Sequence, residues 1–302
     1  MKIEKLKVLL KEFEPNVKFE YELRKKNWFN IGGKCKVFFK AENLKELIKF
    51  LKIINNKEKI FILGAGSNTL IKDSLFNGIV IKLSKYFNNI SLLGKDVIIA
   101  GSGVLDKQLS DFAINHSLSG FEFLSCIPGT IGGGIKMNAG CFGKEFKDIL
   151  LSIQAIDRLG KVVTINSKDI NFEYRKNDLP SDLIFLSASF KGVKAQMNDI
   201  KKKTVFLKEK KNKSQPSKIK TSGSTFKNPI SQTDKKVWEL IKESVPLDQK
   251  FGDAHISNKH CNFFVNGGNA TFKDMNKLIE FVSKKVLEKT GIKLEKEIKI
   301  LE

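Results

Sequence analysis

The stretch at residues 125–143, SCIPGTIGGGIKMNAGCFG, constrains what this chain can fold into more than any other. It holds Gly129, Gly132, Gly133, Gly134, Gly140 and Gly143, with small or polar Thr130, Asn138 and Ala139 between them. Glycine reaches φ > 0 without steric cost and lets another group approach the main chain, but it loses more conformational entropy on folding than any other residue. Something must offset that loss. Two readings are open: an anion held by several backbone N–H groups, or a tight inter-strand turn with close backbone packing. A second glycine cluster favours the anion. The strand-like residues 60–63 run directly into Gly64-Ala65-Gly66-Ser67-Asn68-Thr69. This is not a P-loop, since no Gly-Lys-Ser/Thr follows. It also lacks the third glycine of a dinucleotide fingerprint, Thr69 standing in its place. Together the two loops suggest a grip on one extended, phosphate-bearing ligand.

The formal charge of +21 invites a nucleic-acid reading, but its make-up weakens it. Of 54 basic residues only Arg24, Arg158 and Arg175 are arginine. The lysines are spread from Lys2 to Lys299 instead of clustering, whereas base-edge contacts favour Arg on a concentrated surface. A solvated, lysine-biased surface is the plainer account, and its field would speed the arrival of an anionic substrate. The cysteines Cys35, Cys126, Cys141 and Cys261 form no C-x-x-C, which argues against a zinc site and a disulfide framework, so no metal is expected. The first fifteen residues alternate Lys and Glu with apolar residues, as an amphipathic helix does and a signal peptide does not. No apolar run is long enough to span a membrane, and a cytoplasmic protein is expected.

Along the chain, Asn43 and Glu46 predict a capped helix with Leu44, Leu47, Ile48 and Leu51 on its apolar face. A helix is expected at about 105–117, a hairpin at 149–157 and 161–165, and a lysine-rich helix at about 198–213 that precedes a second domain. Near the end, Thr271 and Asp274 start a helix that Gly291 ends, followed by a strand over 294–301. Strands alternate with helices in both halves, so an α+β fold in two domains is expected. The division is a lead-in at 1–23, a first domain at 24–192 with subdomains at about 24–85 and 86–192, and a C-terminal domain at 193–302.

Single residues offer weaker signals. Arg175, in Tyr174-Arg175-Lys176-Asn177, is retained where lysine is otherwise used, through chance or through a need for a planar guanidinium. Ser224 sits in a turn beside Lys227 and Asn228, as a loop hydroxyl or a catalyst, but no G-x-S-x-G elbow surrounds it. Glu297 and His260 each read alone as ordinary surface groups.

In order, the motifs are far more specific: Asn27-x-Phe29-x-Ile31-Gly32-Gly33, Leu63-Gly64-Ala65-Gly66-Ser67-Asn68, Ile127-Pro128-Gly129-Thr130-Ile131-Gly132-Gly133 and Met137-Asn138-Ala139-Gly140. Tyr174-Arg175, Gly223-Ser224-x-Phe226-Lys227-Asn228-Pro229, His260-x-Asn262-Phe263 and Leu294-Glu295-x-Glu297-Ile298 complete the series. From about residue 24 to 302 the chain resembles the UDP-N-acetylenolpyruvoylglucosamine reductases, in the shorter form that lacks an extra tyrosine-bearing loop. The resemblance implies an FAD-binding domain of the vanillyl-alcohol-oxidase (PCMH) type plus a C-terminal α+β substrate domain. FAD would lie against Gly64, Ala65, Gly66, Ser67 and Asn68, and against Pro128, Gly129, Thr130, Ile131, Gly132, Gly133, Asn138, Ala139 and Gly140.

By the same resemblance, NADPH reduces the flavin, which passes hydride to an enolpyruvyl sugar nucleotide. Arg175 and protonated Glu297 stabilise charge on the substrate carboxylate. Ser224 is the general acid, with Lys227 a candidate to stabilise its alkoxide, and Tyr174, Lys227, Asn228 and His260 contact the substrate. Departures are Asn27 for a frequent Thr, Gly134 for Ala or Ser, and Lys136 before Met137. The lysine for the substrate phosphate is open among Lys213, Lys218 and Lys220, and Ser222 is a nearby decoy for Ser224. A monomer acting on a small molecule, with no nucleic-acid or membrane partner, is expected. The rivals are another FAD-dependent oxidoreductase of this fold and a basic nucleic-acid-binding protein.

Overall fold

The computed structural model describes residues Met1–Glu302. Helices and strands alternate throughout, and no helix is long and apolar enough to cross a membrane. The chain forms two compact units, neither contiguous. The first comprises Met1–Phe19, Lys36–Ala65 and Asn77–Lys211, and the second Glu20–Cys35, Gly66–Phe76 and Asn212–Glu302. This differs from the contiguous 24–192 and 193–302 expected from sequence. The reason is burial: Phe29, Ile31 and Leu70 are buried in one core with Phe226, Phe264, Met275 and Leu278, far along the chain. The lysine-rich helix, Met197–Ser214, also falls largely within the first unit.

The first unit contains two cores. One lies under a four-stranded sheet, ordered Val17–Glu22, Lys34–Ala41, Phe76–Leu83 and Ile60–Ile62. The helix Leu44–Ile54 covers it because Leu47, Phe50, Leu51 and Ile54 recur at helical spacing on one face, and Asn43 accepts the Glu46 N–H as its cap. Phe39 of the sheet stacks on Phe50 of this helix, with ring centroids 3.9 Å apart. The second core is built on a five-stranded antiparallel sheet, ordered Val162–Asn166, Leu150–Ile156, Ile184–Lys191, Val97–Gly101 and Ile90–Leu93. Its hairpin turns as expected, with Asp157 Oδ1 accepting the N–H groups of Leu159 and Lys161. The helix Asp106–Asn115 and the short helix Ile131–Lys136 contribute Leu109, Ala113, Ile131 and Ile135 to this core.

The second unit packs the helices Val237–Ser244 and Phe272–Thr290 with a three-stranded sheet of Lys250–Phe251, Ala254–Ile256 and Phe264–Asn266. The long helix begins at the expected box, Thr271 accepting the Asp274 N–H while the Asp274 carboxylate accepts the Thr271 N–H. It ends at Gly291, at φ 71°. The strand expected over 294–301 is regular only at Lys299–Leu301, parallel to Thr69–Ile71. Its earlier part instead lies along residues 224–227, where it bonds to single carbonyls and forms one isolated bridge, Phe226 to Lys296.

Candidate active site

Arg175 occupies the turn of a tight hairpin, Phe172–Glu173 against Lys176–Asn177, at φ 57°. That left-handed conformation is uncommon for a residue with a side chain. It is held by its own contacts. The guanidinium donates to Gly140 O at 2.7 Å, pairs with Glu145 Oε1 at 3.5 Å and lies 4.9 Å from the Tyr174 ring centroid. The fully buried Asn138, at φ 42°, donates to Glu145 Oε2 at 2.9 Å and to Glu173 O at 3.0 Å. Arg175 and Tyr174 are thus fastened onto the end of the glycine stretch. Glu145 was not singled out from the sequence, and nothing local in Lys144-Glu145-Phe146 marks it. Asn177, next in the hairpin, donates to Ile135 O at 2.8 Å and Lys136 O at 3.1 Å, holding the C-terminal end of the glycine-rich helix.

The two glycine loops behave differently. In the loop from Gly64 to Asn68, the N–H groups of Gly64, Ala65, Gly66 and Ser67 make no hydrogen bond within the protein. Gly66 is buried at φ 69°. Gly64, Ala65 and Ser67 beside it are half-buried, and successive N–H groups without a protein acceptor fit an anionic group such as a pyrophosphate. In the longer stretch the donors are already committed. Ile131 N–H bonds Val104 O and Gly132 N–H bonds Ser102 O, each at 2.9 Å. Gly133 N–H bonds Thr130 Oγ1 at 3.4 Å and Gly134 N–H bonds Thr130 O at 2.8 Å.

Here the glycines serve close packing. A Cβ on Gly134 would stand 2.2 Å from the Phe146 ring, and one on Gly140 would stand 2.3 Å from Lys144 O. The two loops touch, since a Cβ on Gly64 would reach Thr130 Oγ1 at 2.7 Å. Pro128 and Gly129 lead into this helix, and Ala139 packs against the core below it. So backbone donors without a protein acceptor and a tight backbone packing are both present, in separate loops. The residues fit a dinucleotide whose pyrophosphate meets the first loop.

In the second unit, residues 224–227 thread between two segments. Thr225 N–H donates to Asn262 O at 2.8 Å, and Thr225 O accepts the Glu297 N–H at 2.8 Å. The buried Asn262 accepts from Phe226 N–H at 3.0 Å and donates to Phe226 O at 2.9 Å. Ser224 and Glu297 are therefore carried on neighbouring backbone. Asn68 extends the group, donating to Glu297 O at 3.1 Å while its own carbonyl accepts from Lys299 N–H at 2.9 Å.

The Ser224 hydroxyl is half-buried and makes no hydrogen bond with the protein, whereas Ser222 Oγ is committed to Thr69 O at 3.3 Å. Lys227 pairs with Glu295 at 3.1 Å, and Asn228 Oδ1 accepts the Val237 N–H at 3.0 Å, starting the helix there. His260 rests against the Phe263 ring, and burial pushes its imidazole below its ordinary pKa, so it is neutral near pH 7. Of the three lysines left open, Lys220 donates to Gly268 O at 3.2 Å. Arg175 and Tyr174 lie in the first unit; Ser224, Lys227, Asn228, His260 and Glu297 lie in the second.

Residues 35–166 match the family model described as an FAD binding domain. The fold, the open N–H row and this match define an FAD-dependent oxidoreductase that carries a separate C-terminal α+β domain. Residues 215–301 match the model described as the C-terminal domain of UDP-N-acetylenolpyruvoylglucosamine reductase. A UDP-N-acetylenolpyruvoylglucosamine reductase of Pelagibacter ubique is 66% identical over 301 residues, covering 100% of both chains. One of Rickettsia typhi is 45% identical over 282 residues, 93% of this chain and 94% of its own. The crystal structure of the reductase from Thermus caldophilus superposes with a TM-score of 0.81 at 30% identity, covering 93% of this chain and 98% of that one. The chain belongs to the UDP-N-acetylenolpyruvoylglucosamine reductase family.

Proposed function

We propose that this chain reduces the enolpyruvyl group of UDP-N-acetylglucosamine-enolpyruvate to give UDP-N-acetylmuramate, with NADPH as the electron source. In this reading it works as a cytoplasmic monomer on a small sugar nucleotide, with no nucleic-acid partner, and supplies peptidoglycan synthesis and so cell shape and division. The observation that carries the reading is the unpartnered Ser224 hydroxyl, one residue from the carbonyl that receives the Glu297 N–H.

Gly64–Asn68 and the Pro128–Gly140 segment would hold FAD, which when bound would supply the hydride chemistry with NADPH as its electron source. An enol ether accepts hydride only if its carboxylate can carry developing negative charge. Arg175 and Glu297 provide for that charge, which grows in the transition state and is best met by preorganised groups. The contacts of Arg175 to Gly140, Glu145 and Tyr174 fix its guanidinium before substrate arrives. Ser224 then gives its proton to the adjacent carbon. A hydroxyl is a poor acid, so the cation of Lys227 supports the alkoxide; its partner Glu295 is largely exposed, and such a pair holds the lysine weakly. Neutral His260 can hydrogen-bond the substrate without adding charge, and Tyr174 and Asn228 complete its contacts.

The test is anaerobic stopped-flow on the flavin absorbance of wild type and Ser224→Ala. NADPH should bleach the flavin equally in both. Added enolpyruvyl sugar nucleotide should restore colour in the wild type and do so about 10²–10⁴-fold more slowly in the variant. Equal rates of recovery would remove Ser224 from the mechanism, and a protein that takes up no FAD would overturn the whole reading.

A further inference from the structure

Two cysteines frame the glycine stretch and meet in the folded chain. Cys126 ends the short turn Glu122–Cys126, and Cys141 ends the two-residue strand Gly140–Cys141. The Cys141 thiol donates to Phe123 O at 3.3 Å, which lays it along the turn that carries Cys126. Ser125 Oγ lies 3.7 Å from Cys126 Sγ, and Cys141 is the neighbour that acts most strongly on Cys126.

Positive charge surrounds the pair. Lys211, near the end of the long lysine-rich helix, donates to Cys126 O at 2.5 Å; Lys208 of the same helix also acts on Cys126, and the Arg175 guanidinium acts on Cys141. Lys210 sits 5.3 Å from the ring centroid of Phe142, beside Cys141. The thiols are made unequal. The neighbouring Cys141, with Ser125 and the lysines, brings Cys126 down to about 6, while the neighbouring Cys126 and burial push Cys141 up. The surroundings thus favour the thiolate at Cys126 and the protonated thiol at Cys141. No further His, Cys, Asp or Glu joins them to make a metal site.

We propose that Cys126 and Cys141 are a peroxide-responsive dithiol, Cys126 as the attacking sulfur and Cys141 as the resolving one, closing to a disulfide across residues 127–140. In the first step the Cys126 thiolate attacks one peroxide oxygen and the O–O bond breaks. The leaving hydroxide takes a proton to become water, and Cys126 becomes a sulfenic acid. In the second step the Cys141 sulfur attacks Cys126, the S–S bond forms and the S–O bond breaks. The departing hydroxyl leaves as water with the Cys141 proton. Two thiols are oxidised and one peroxide is reduced to two waters. The bond joins the two ends of the glycine-rich segment, so it fixes their spacing; a thiol reductant reverses it.

The experiment treats the FAD-loaded protein with hydrogen peroxide in the absence of NADPH. Thiols are then counted after unfolding, and linked peptides are mapped by mass spectrometry. Two of the four thiols should disappear, as a Cys126–Cys141 link lighter by two hydrogens, and dithiothreitol should restore both. Cys141→Ser should stop at a sulfenic acid on Cys126 that dimedone captures. Cys126→Ser should keep its three remaining thiols, oxidising at least about tenfold more slowly than the wild type. Survival of all four wild-type thiols, a link through Cys35 or Cys261, or equal oxidation rates in Cys126→Ser would each overturn the proposal. Mapping of the wild type decides it even if neither variant folds.

Discussion

Asp106 offers the sharpest test of the physical reasoning. It is the first residue of the helix Asp106–Asn115, it is fully buried, and neither carboxyl oxygen completes a hydrogen bond. Burial pushes its carboxyl well above the ordinary aspartate range, and the facing Gly129 backbone offsets only part of that. The folded protein therefore holds the acid neutral where the unfolded chain would ionise it. Above the unfolded pKa the native state binds more protons than the unfolded state, so stability falls as pH rises. For each pH unit over which the fold keeps Asp106 protonated while the unfolded chain is ionised, the loss is about 1.4 kcal/mol. Asp106→Asn keeps the shape and removes the titration. Its buried amide is also short of partners, which shifts stability by the same amount at both pH values and cancels from the comparison. Urea unfolding of both proteins at fixed excess FAD, at pH 5 and pH 7, gives the two slopes. The wild type should lose more stability than the variant over that interval, with a limiting slope of about 1.4 kcal/mol per pH unit. Curves that run parallel within about half a kcal/mol would refute a neutral Asp106.

Gly134→Ala should destabilise the protein by about 1–3 kcal/mol, because the new methyl meets the fully buried Phe146, whose ring is wedged against Phe123 and Phe190; thermal unfolding checks this. Asn266→Ala should cost more, about 2–4 kcal/mol. It would strip partners from Phe29 O and from the N–H groups of Gly268 and Ala270 at once, and a lowered urea midpoint at unchanged m value is expected. Thr271→Ala should cost about 1 kcal/mol through the lost cap on the helix Phe272–Thr290, leaving the rate of flavin reduction unchanged. Arg175→Lys should keep its charge but lose the planar fork shared between Gly140 O and Glu145. A fall in kcat/KM of at least about tenfold is expected, with FAD still bound.

The sequence by itself determined what depends on residues close along the chain. Asn43 with Glu46, Thr271 with Asp274, and Gly291 each set a helix end through contacts spanning a few residues, and each is found where the spacing places it. The glycine clusters and the ordered motifs likewise fixed the family, because backbone conformation at a loop is chosen locally. Tertiary structure decided the rest. Which loop has donors to spare and which uses its glycines to admit Phe146 depends on a ring brought in from outside the glycine run. That Asn27-x-Phe29-x-Ile31 joins the unit of Phe226 and Phe264 follows from burial in a shared core, which no spacing encodes. Cys126 and Cys141 are not in a C-x-x-C and look unrelated as text. A short turn and a two-residue strand pack together, and only that contact sets their surroundings against each other, lowering Cys126 and raising Cys141. Local patterns set φ, ψ and caps, whereas burial and charge at a site are sums over neighbours that only the folded chain assembles.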